Sequence, residues 1–283
     1  MTPEPFGDRL LDAMRTRLPF CVGIDPHKHL LESWGLADDA VGLETFARTC
    51  VEALAGEVAV LKPQSAFFER HGAAGVAVLQ RTIADARSAG AVVILDAKRG
   101  DIGSTAAAYA DAYLERDSAM FCDAVTVSPY LGFGSVQPFI DTAHRNGAGV
   151  FVLAATSNPD GRAVQRAVGA DGTTVAQQII DQVAQVNSEF LAQRQATLGS
   201  VGVVIGATIE QGGVDVRRLR GPILAPGFGA QGATAADVAA LFPLECTVVA
   251  STSRDLLSAG PARGQLTRKA IRVGSALAEH RRA

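Results

Sequence analysis

A chain of 283 residues with 48% hydrophobic and 19% charged residues can bury a full core, which excludes a disordered segment. The formal net charge of −3 gives no electrostatic footprint for a nucleic acid, and the pairs Arg217-Arg218 and Arg281-Arg282 read as short solvated helix ends. No apolar run approaches the ~20 residues of a membrane span, and the stretch with Pro3, Glu4, Pro5 and Asp8 does not resemble a signal peptide, so a cytoplasmic protein is expected. The four cysteines (Cys21, Cys50, Cys122, Cys246) are scattered without a CxxC pair, which argues against a zinc site or a disulfide framework and predicts buried free thiols.

Residues 1–19 read as a short leading helix with Leu10, Leu11, Met14 and Leu18 on one stripe. An apolar strand from Phe20 follows, closed by Asp25 and stopped by Pro26; His27, Lys28 and His29 then read as a polar surface loop. A helix is expected around Val41 to Ala55. The second strand starts at Val58 and ends in Lys62-Pro63-Gln64, and the helix after Ala73 carries Val76, Leu79 and Ile83 and stops near Gly90. The third strand, Ala91 to Leu95, runs into Asp96, Lys98, Gly100, Asp101, Ile102, Gly103 and Thr105 before an alanine-rich helix. The fourth begins at Ala124 and leads to Ser128-Pro129-Tyr130, with a helix over about Ser135 to Arg145. The fifth starts at Gly149 and ends in Thr156-Ser157-Asn158-Pro159, followed by a polar loop over 160–172 and a long helix over about Thr174 to Gln195. Strand six is Val201 to Ala207. Strand seven opens at Pro222 and enters Pro226-Gly227-Phe228-Gly229 and Gln231-Gly232. Strand eight runs from Cys246 to Arg254, and a terminal helix covers about Gln265 to His280.

Eight alternations of strand and helix in a chain of this length, with no linker or repeat, predict a single-domain (β/α)8 barrel. A doubly wound open sheet is the alternative, weakened because no GxGxxG follows the first strand. A barrel would gather all strand carboxyl ends on one face: Asp25, Lys62, Asp96, Lys98, Ser128, Thr156-Ser157, Gln231 and Arg254. Side chains alternate along a strand, so Asp96 and Lys98 point the same way, with Asp101 in the turn beyond. Flanking carboxylates would hold Lys98 protonated, ready to act as an acid. The glycines around Phe228 allow backbone N–H groups to approach an anion, and Arg254 in the next loop supplies a guanidinium, so phosphate is the expected ligand at that end.

These residues resemble the orotidine 5′-phosphate decarboxylase family. The resemblance rests on Asp96-x-Lys98-x-x-Asp101-Ile102-x-x-Thr105, on Asp25 and Lys62 at the first two strand ends, on Ser157 within Ala-Thr-Ser-Asn-Pro, and on the Gln231 loop with Arg254. It spans Asp25 to Arg254 and best suits the longer bacterial branch; the loops around 28–40 and 158–172 exceed the minimal family core. It implies a homodimeric barrel that converts orotidine 5′-phosphate to UMP and CO2 without cofactor or metal. It further implies a catalytic set of Lys62, Asp96, Lys98 and Asp101, with Lys98 protonating C6 and Asp96 against the substrate carboxylate. Asp101, Ile102 and Thr105 would cross the dimer interface. Asp25 and Lys62 would contact the ribose, Ser157 the pyrimidine, and Gln231 and Arg254 the phosphate. Two rivals make different demands. A metal-dependent lyase acting on a sugar phosphate would want an acidic ligand where Lys62 stands. A catalytically dead barrel would be expected to have lost part of the charge set, yet all four members are present.

Overall fold

The computed structural model describes residues 3–229 and 232–280. Eight parallel strands close a barrel in sequence order. They are β1 (Leu18–Ile24), β2 (Val58–Pro63), β3 (Val92–Arg99), β4 (Ala124–Val127), β5 (Gly149–Ala155), β6 (Val201–Ile205), β7 (Ile223–Pro226) and β8 (Val248–Thr252), and β8 pairs back onto β1 through Cys21–Ser251 and Val22–Thr252. The open-sheet alternative is thereby set aside.

The helices are α1 (Phe6–Thr16), α2 (Lys28–Ser33), α3 (Ala40–Leu54), α4 (Ser65–Glu69), α5 (Gly72–Ser88), α6 (Gly103–Leu114), α7 (Gln137–Asn146), α8 (Arg162–Gln165), α9 (Val175–Gln193), α10 (Ala235–Leu241), α11 (Arg254–Leu257) and α12 (Arg263–His280). The long ones lie close to their expected places. Two short ones, α2 and α8, occupy stretches read from sequence as loops, because a single turn leaves too little periodicity to detect.

The alternation of each strand divides the apolar side chains between two layers. In β3, Val92 and Ile94 belong to the cluster inside the barrel, whereas Val93 and Leu95 belong to the cluster under the helices. Cys21, Val60, Ala124 and Val249 face inward in the same way. Counting on by two from each inward residue reaches Lys62 after Val60, Asp96 after Ile94, Thr126 after Ala124 and Ser251 after Val249, and counting on by two twice from Cys21 passes Gly23 to reach Asp25. The barrel's inward register is thus apolar through its depth and polar at its carboxyl-end mouth.

The opposite end is stoppered by α1. Phe6, Leu10 and Ala13 join the interior cluster, and the Phe6 ring meets Phe151 edge-on at 5.9 Å. This corrects the expected stripe: Leu18 has already entered β1, and Phe6 and Ala13 replace Leu11 and Met14 as the buried face. Proximity of α1 to the barrel floor is fixed by polar ties. Arg9 donates to buried Asp123 at 2.7 Å and to the Gly147 carbonyl at 3.0 Å, while Asp8 accepts from the Thr197 N–H at 2.9 Å. Among the described residues no helix is long and apolar enough to cross a membrane.

Candidate active site

At the mouth, Asp96 is the hub. Its Oδ2 accepts from Lys62 Nζ at 2.7 Å, and its Oδ1 accepts from Lys98 Nζ at 2.5 Å and from Thr126 Oγ1 at 2.9 Å. Asp96 is only 7% exposed and Lys62 5%, so this ion pair is held largely out of water, while Lys98 reaches Asp96 from the exposed side of the mouth. Burial alone would raise the Asp96 carboxyl, but Lys62 and Lys98 outweigh it and hold the group well below the usual carboxylate range. Burial likewise opposes the Lys62 ammonium, yet Asp96 and Asp25 overcome that penalty and push it above its ordinary value. Asp96 and Lys62 are therefore both charged at neutral pH.

Lys98 sits at φ 48°, a left-handed conformation that is unfavourable for a residue with a side chain. The β3–β4 pairing shifts register between Leu95 and Arg99, and the Lys98 N–H donates to Thr126 Oγ1 at 3.0 Å instead of to a strand neighbour. Thr126 thus holds both the Asp96 carboxylate and the Lys98 backbone. It is 1% exposed and was not singled out from sequence. The available signal was a hydroxyl on the inward register of an otherwise apolar strand, one step below the mouth.

Asp101 does not join this cluster. Its Oδ1 accepts from the Ile102 N–H at 2.8 Å, and it makes no ion pair with Lys62 or Lys98. The expectation that two carboxylates flank Lys98 is corrected for the single chain: among the described residues Asp96 is the one carboxylate paired with Lys98, and Asp101 is engaged by the Ile102 N–H instead. Ile102 is 62% exposed, Thr105 is exposed, and beside them on the following loop Tyr130 and Leu131 are also exposed.

Across the mouth a cleft of about 320 Å³ is lined by Asp25, Lys62, Gln64, Phe228, Thr252 and Arg254, among others. Three of its polar atoms, Asp25 Oδ1, Thr252 Oγ1 and Ser253 Oγ, are buried without a hydrogen-bond partner among the described residues. A buried unsatisfied polar atom costs about 1–3 kcal/mol, so three in one cleft mark a surface that a polar ligand would satisfy. Gly227, at φ 109°, allows the chain to turn off β7 into this cleft where a Cβ would be strained. Arg254 is exposed at the first position of α11 and lines the same cleft. Gln231 lies outside the described residues.

His27, expected in a solvated loop, is instead half-buried on the cleft wall. It caps the start of α2, and its ring packs on Phe67 at 4.2 Å. Burial lowers its pKa, so it is neutral at pH 7. Ser157 lies at the end of β5, on a different wall of the mouth, beside a small cavity lined by Thr156, Arg162 and Gln165. The structure therefore brings Asp25, Lys62, Asp96, Lys98 and Arg254 around one opening, with Ser157 at its rim, while Asp101, Ile102 and Thr105 join neither the charge cluster nor the cleft lining.

The family model for the orotidine 5′-phosphate decarboxylase / HUMPS family matches residues 18–254. The chain belongs to that family. An orotidine 5′-phosphate decarboxylase of Salinispora tropica is 58% identical over 259 residues, 91% of both chains. Its counterpart from Salinispora arenicola is 58% identical over 271 residues, 95% of this chain and 96% of the relative. A crystal structure from Streptomyces avermitilis, assigned to the same enzyme, superposes with a TM-score of 0.95 at 52% identity, covering 100% of this chain and 98% of the other. The chemistry for which these relatives are named is decarboxylation in pyrimidine biosynthesis, and this member of the decarboxylase / HUMPS family is an enzyme of that carboxy-lyase class.

Proposed function

We propose that the chain decarboxylates orotidine 5′-phosphate to UMP without a metal or organic cofactor, with Lys98 as the proton donor. The observation that carries this reading is the contact chain Lys62–Asp96–Lys98 at the barrel mouth. A substrate carboxylate placed against Asp96 would meet a carboxylate that its two lysines keep ionised. Breaking the C6–carboxyl bond releases CO2 and leaves the electron pair on C6, in the ring plane, where no π-system can delocalise it. The Lys98 ammonium stabilises that charge as it develops and then transfers a proton to C6; solvent reprotonates the amine. Its orientation is set in advance by Asp96 and by the Thr126 hold on its backbone, so little reorganisation remains at the moment of reaction.

Metal independence is supported by the chemistry of the donors. Both Asp96 oxygens are already engaged by ammonium groups, and the second strand end carries Lys62 rather than a carboxylate. The ribose would lie between Asp25 and Lys62, and the phosphate by Arg254 and the Gln231 loop, where the unpartnered Thr252 and Ser253 hydroxyls stand. Remote phosphate binding can then offset the crowding of carboxylates at the reacting end.

The reading includes a homodimer. Asp101 makes no ion pair with its own Lys98 and adjoins exposed Ile102 and Thr105, with exposed Tyr130 and Leu131 adding apolar surface. A partner subunit packed there would receive Asp101 into its own charge cluster, completing the alternation Lys62, Asp96, Lys98, Asp101. Four free cysteines suit a reducing compartment, so action in the cytoplasm is part of the proposal.

The test is the ultraviolet absorbance of orotidine 5′-phosphate with purified protein, with and without EDTA. Loss of substrate absorbance with UMP formation, unchanged by the chelator, is the expected result. Turnover abolished by EDTA and restored by Mg2+ would overturn the metal-free mechanism, and no turnover from folded protein would overturn the substrate.

A further inference from the structure

The stretch 158–172, which exceeds the minimal family core, is built rather than loose. After a 3-10 turn at Pro159–Gly161, α8 ends on Gln165, whose side chain reaches back to the end of β5. Its Oε1 accepts from the Thr156 N–H at 2.9 Å, and its Nε2 donates to Thr156 Oγ1 at 2.7 Å. Thr156 Oγ1 in turn donates to Asn158 Oδ1 at 2.6 Å. One side chain therefore grips both the backbone and the hydroxyl of the residue immediately before Ser157. From the other side, Gly206 at the end of β6 donates its N–H to the Ala155 carbonyl at 2.8 Å. A Cβ placed on Gly206 would lie 3.0 Å from the Ser157 nitrogen and 3.1 Å from its Cβ. An ion pair of Arg166 with Glu210, at 2.9 Å, fastens α8 to the segment beyond β6. The peptide carrying Ser157 is held between these two contacts.

We propose that Gln165 is a positioning residue for catalysis: it fixes the Thr156–Ser157 peptide so that Ser157 meets the pyrimidine ring in register with Lys98. This rests on the proposed decarboxylase reading and gives the extra-long loop a function within it. Strand β5 has stopped pairing regularly by this point, since the β5–β6 register shifts between Leu153 and Ala155. The barrel alone does not orient Ser157, and a bidentate side-chain amide supplies what the lost ladder would have supplied. Misplacing a substrate contact by about an ångström can cost on the order of 100-fold in rate, so the lever is large enough to see.

The experiment is a double-mutant cycle on kcat/KM for orotidine 5′-phosphate, using Gln165→Ala, Ser157→Ala and the double variant, each checked for its melting temperature. Inorganic phosphate serves as a competitive inhibitor reporting the Arg254 end. We expect each single variant to lose about 10-fold or more, the double variant to be no worse than Ser157→Ala, and phosphate inhibition to stay within about two-fold throughout. Losses that multiply in the double variant, or a Gln165→Ala enzyme within two-fold of wild type, would overturn the proposal, as would a silent Ser157→Ala. Should Gln165→Ala not fold, Gln165→Glu decides the matter. Its carboxylate can still accept from the Thr156 N–H, and can accept from the hydroxyl once Thr156 turns its one proton away from Asn158, so it should retain part of the activity; a folded Gln165→Glu enzyme as inactive as Ser157→Ala counts against the assignment. A wild-type enzyme without decarboxylase activity would instead overturn the underlying reading, and that arm is measured first.

Discussion

The two ends of the barrel are built from the same strands to opposite specifications. At the amino end, Phe6, Leu10 and Phe151 fill the bore, and the buried charge Asp123 is held by Arg9 at 2.7 Å and by the Val93 N–H at 2.9 Å. At the carboxyl end the same inward register carries Asp25, Lys62, Asp96 and Thr126, a lysine in a left-handed conformation, and three buried polar atoms without partners. The amino end is filled by apolar side chains and its buried carboxylate is paired with arginines, so changing it should alter stability alone. The carboxyl end keeps strain and unsatisfied groups that serve a ligand, so changing it should alter activity first and can even stabilise.

The sharpest break of that contrast is Lys98. Lys98→Gly should abolish turnover, by about 10⁴-fold or more, because the proton donor is gone. Lys98→Gly should also be about 1 kcal/mol more stable than Lys98→Ala, which loses the same ion pair with Asp96, because glycine accepts φ 48° without a Cβ clash. Single-turnover kinetics and paired urea melts measure the two halves; a glycine variant no more stable than the alanine variant would mean that the mouth is not strained.

Next comes complementation. Chains carrying Lys98→Ala and Asp101→Ala should each be inactive as homodimers. Mixing them through unfolding and refolding should restore about a quarter of wild-type activity, since half the dimers are mixed and each of those has one intact site. If mixtures shown by mass spectrometry to hold heterodimers remain dead, Asp101 does not act across the interface.

The amino end should behave differently. Phe6→Ala opens a hole between α1 and the barrel floor and should cost about 3–5 kcal/mol in chemical denaturation. At a temperature where the variant is still folded, its kcat/KM should match wild type. A large activity loss in fully folded Phe6→Ala would mean that the two ends are mechanically coupled.

The smallest effect concerns pH. His144 stacks on Phe190 at 4.4 Å, and burial lowers its pKa to about 4. In the unfolded chain it would titrate near its ordinary value of about 6.5. Between those values the unfolded state binds a proton that the folded state does not, so stability falls as pH drops from about 6.5 toward 4, by on the order of 2 kcal/mol in all. His144→Gln should flatten the melting temperature over that window, while the Asp96 charge, held below the usual carboxylate range, stays in place throughout it.

Periodicity made the barrel legible in the amino-acid sequence. Strands β1 to β8 each present a short buried apolar run, and the long helices present stripes of apolar residues, both of which are local patterns. The strand-end rule then pointed to Asp25, Lys62, Asp96, Lys98 and Arg254, because strand direction alone assigns them to one face. Local pattern had no way to report pairings between distant segments. Thr126 looked like one more strand residue until the β3–β4 register brought it under Asp96 and Lys98. Gln165 looked like loop composition until α8 folded back onto Thr156. Asp101 lies three residues from Lys98 in sequence, yet it accepts from the Ile102 N–H while Lys98 pairs with Asp96. Chain order decides which residues lie along a strand and which way each faces. Which side chains meet across the mouth depends on register, turn geometry and packing between elements, and those are set only when the whole barrel closes.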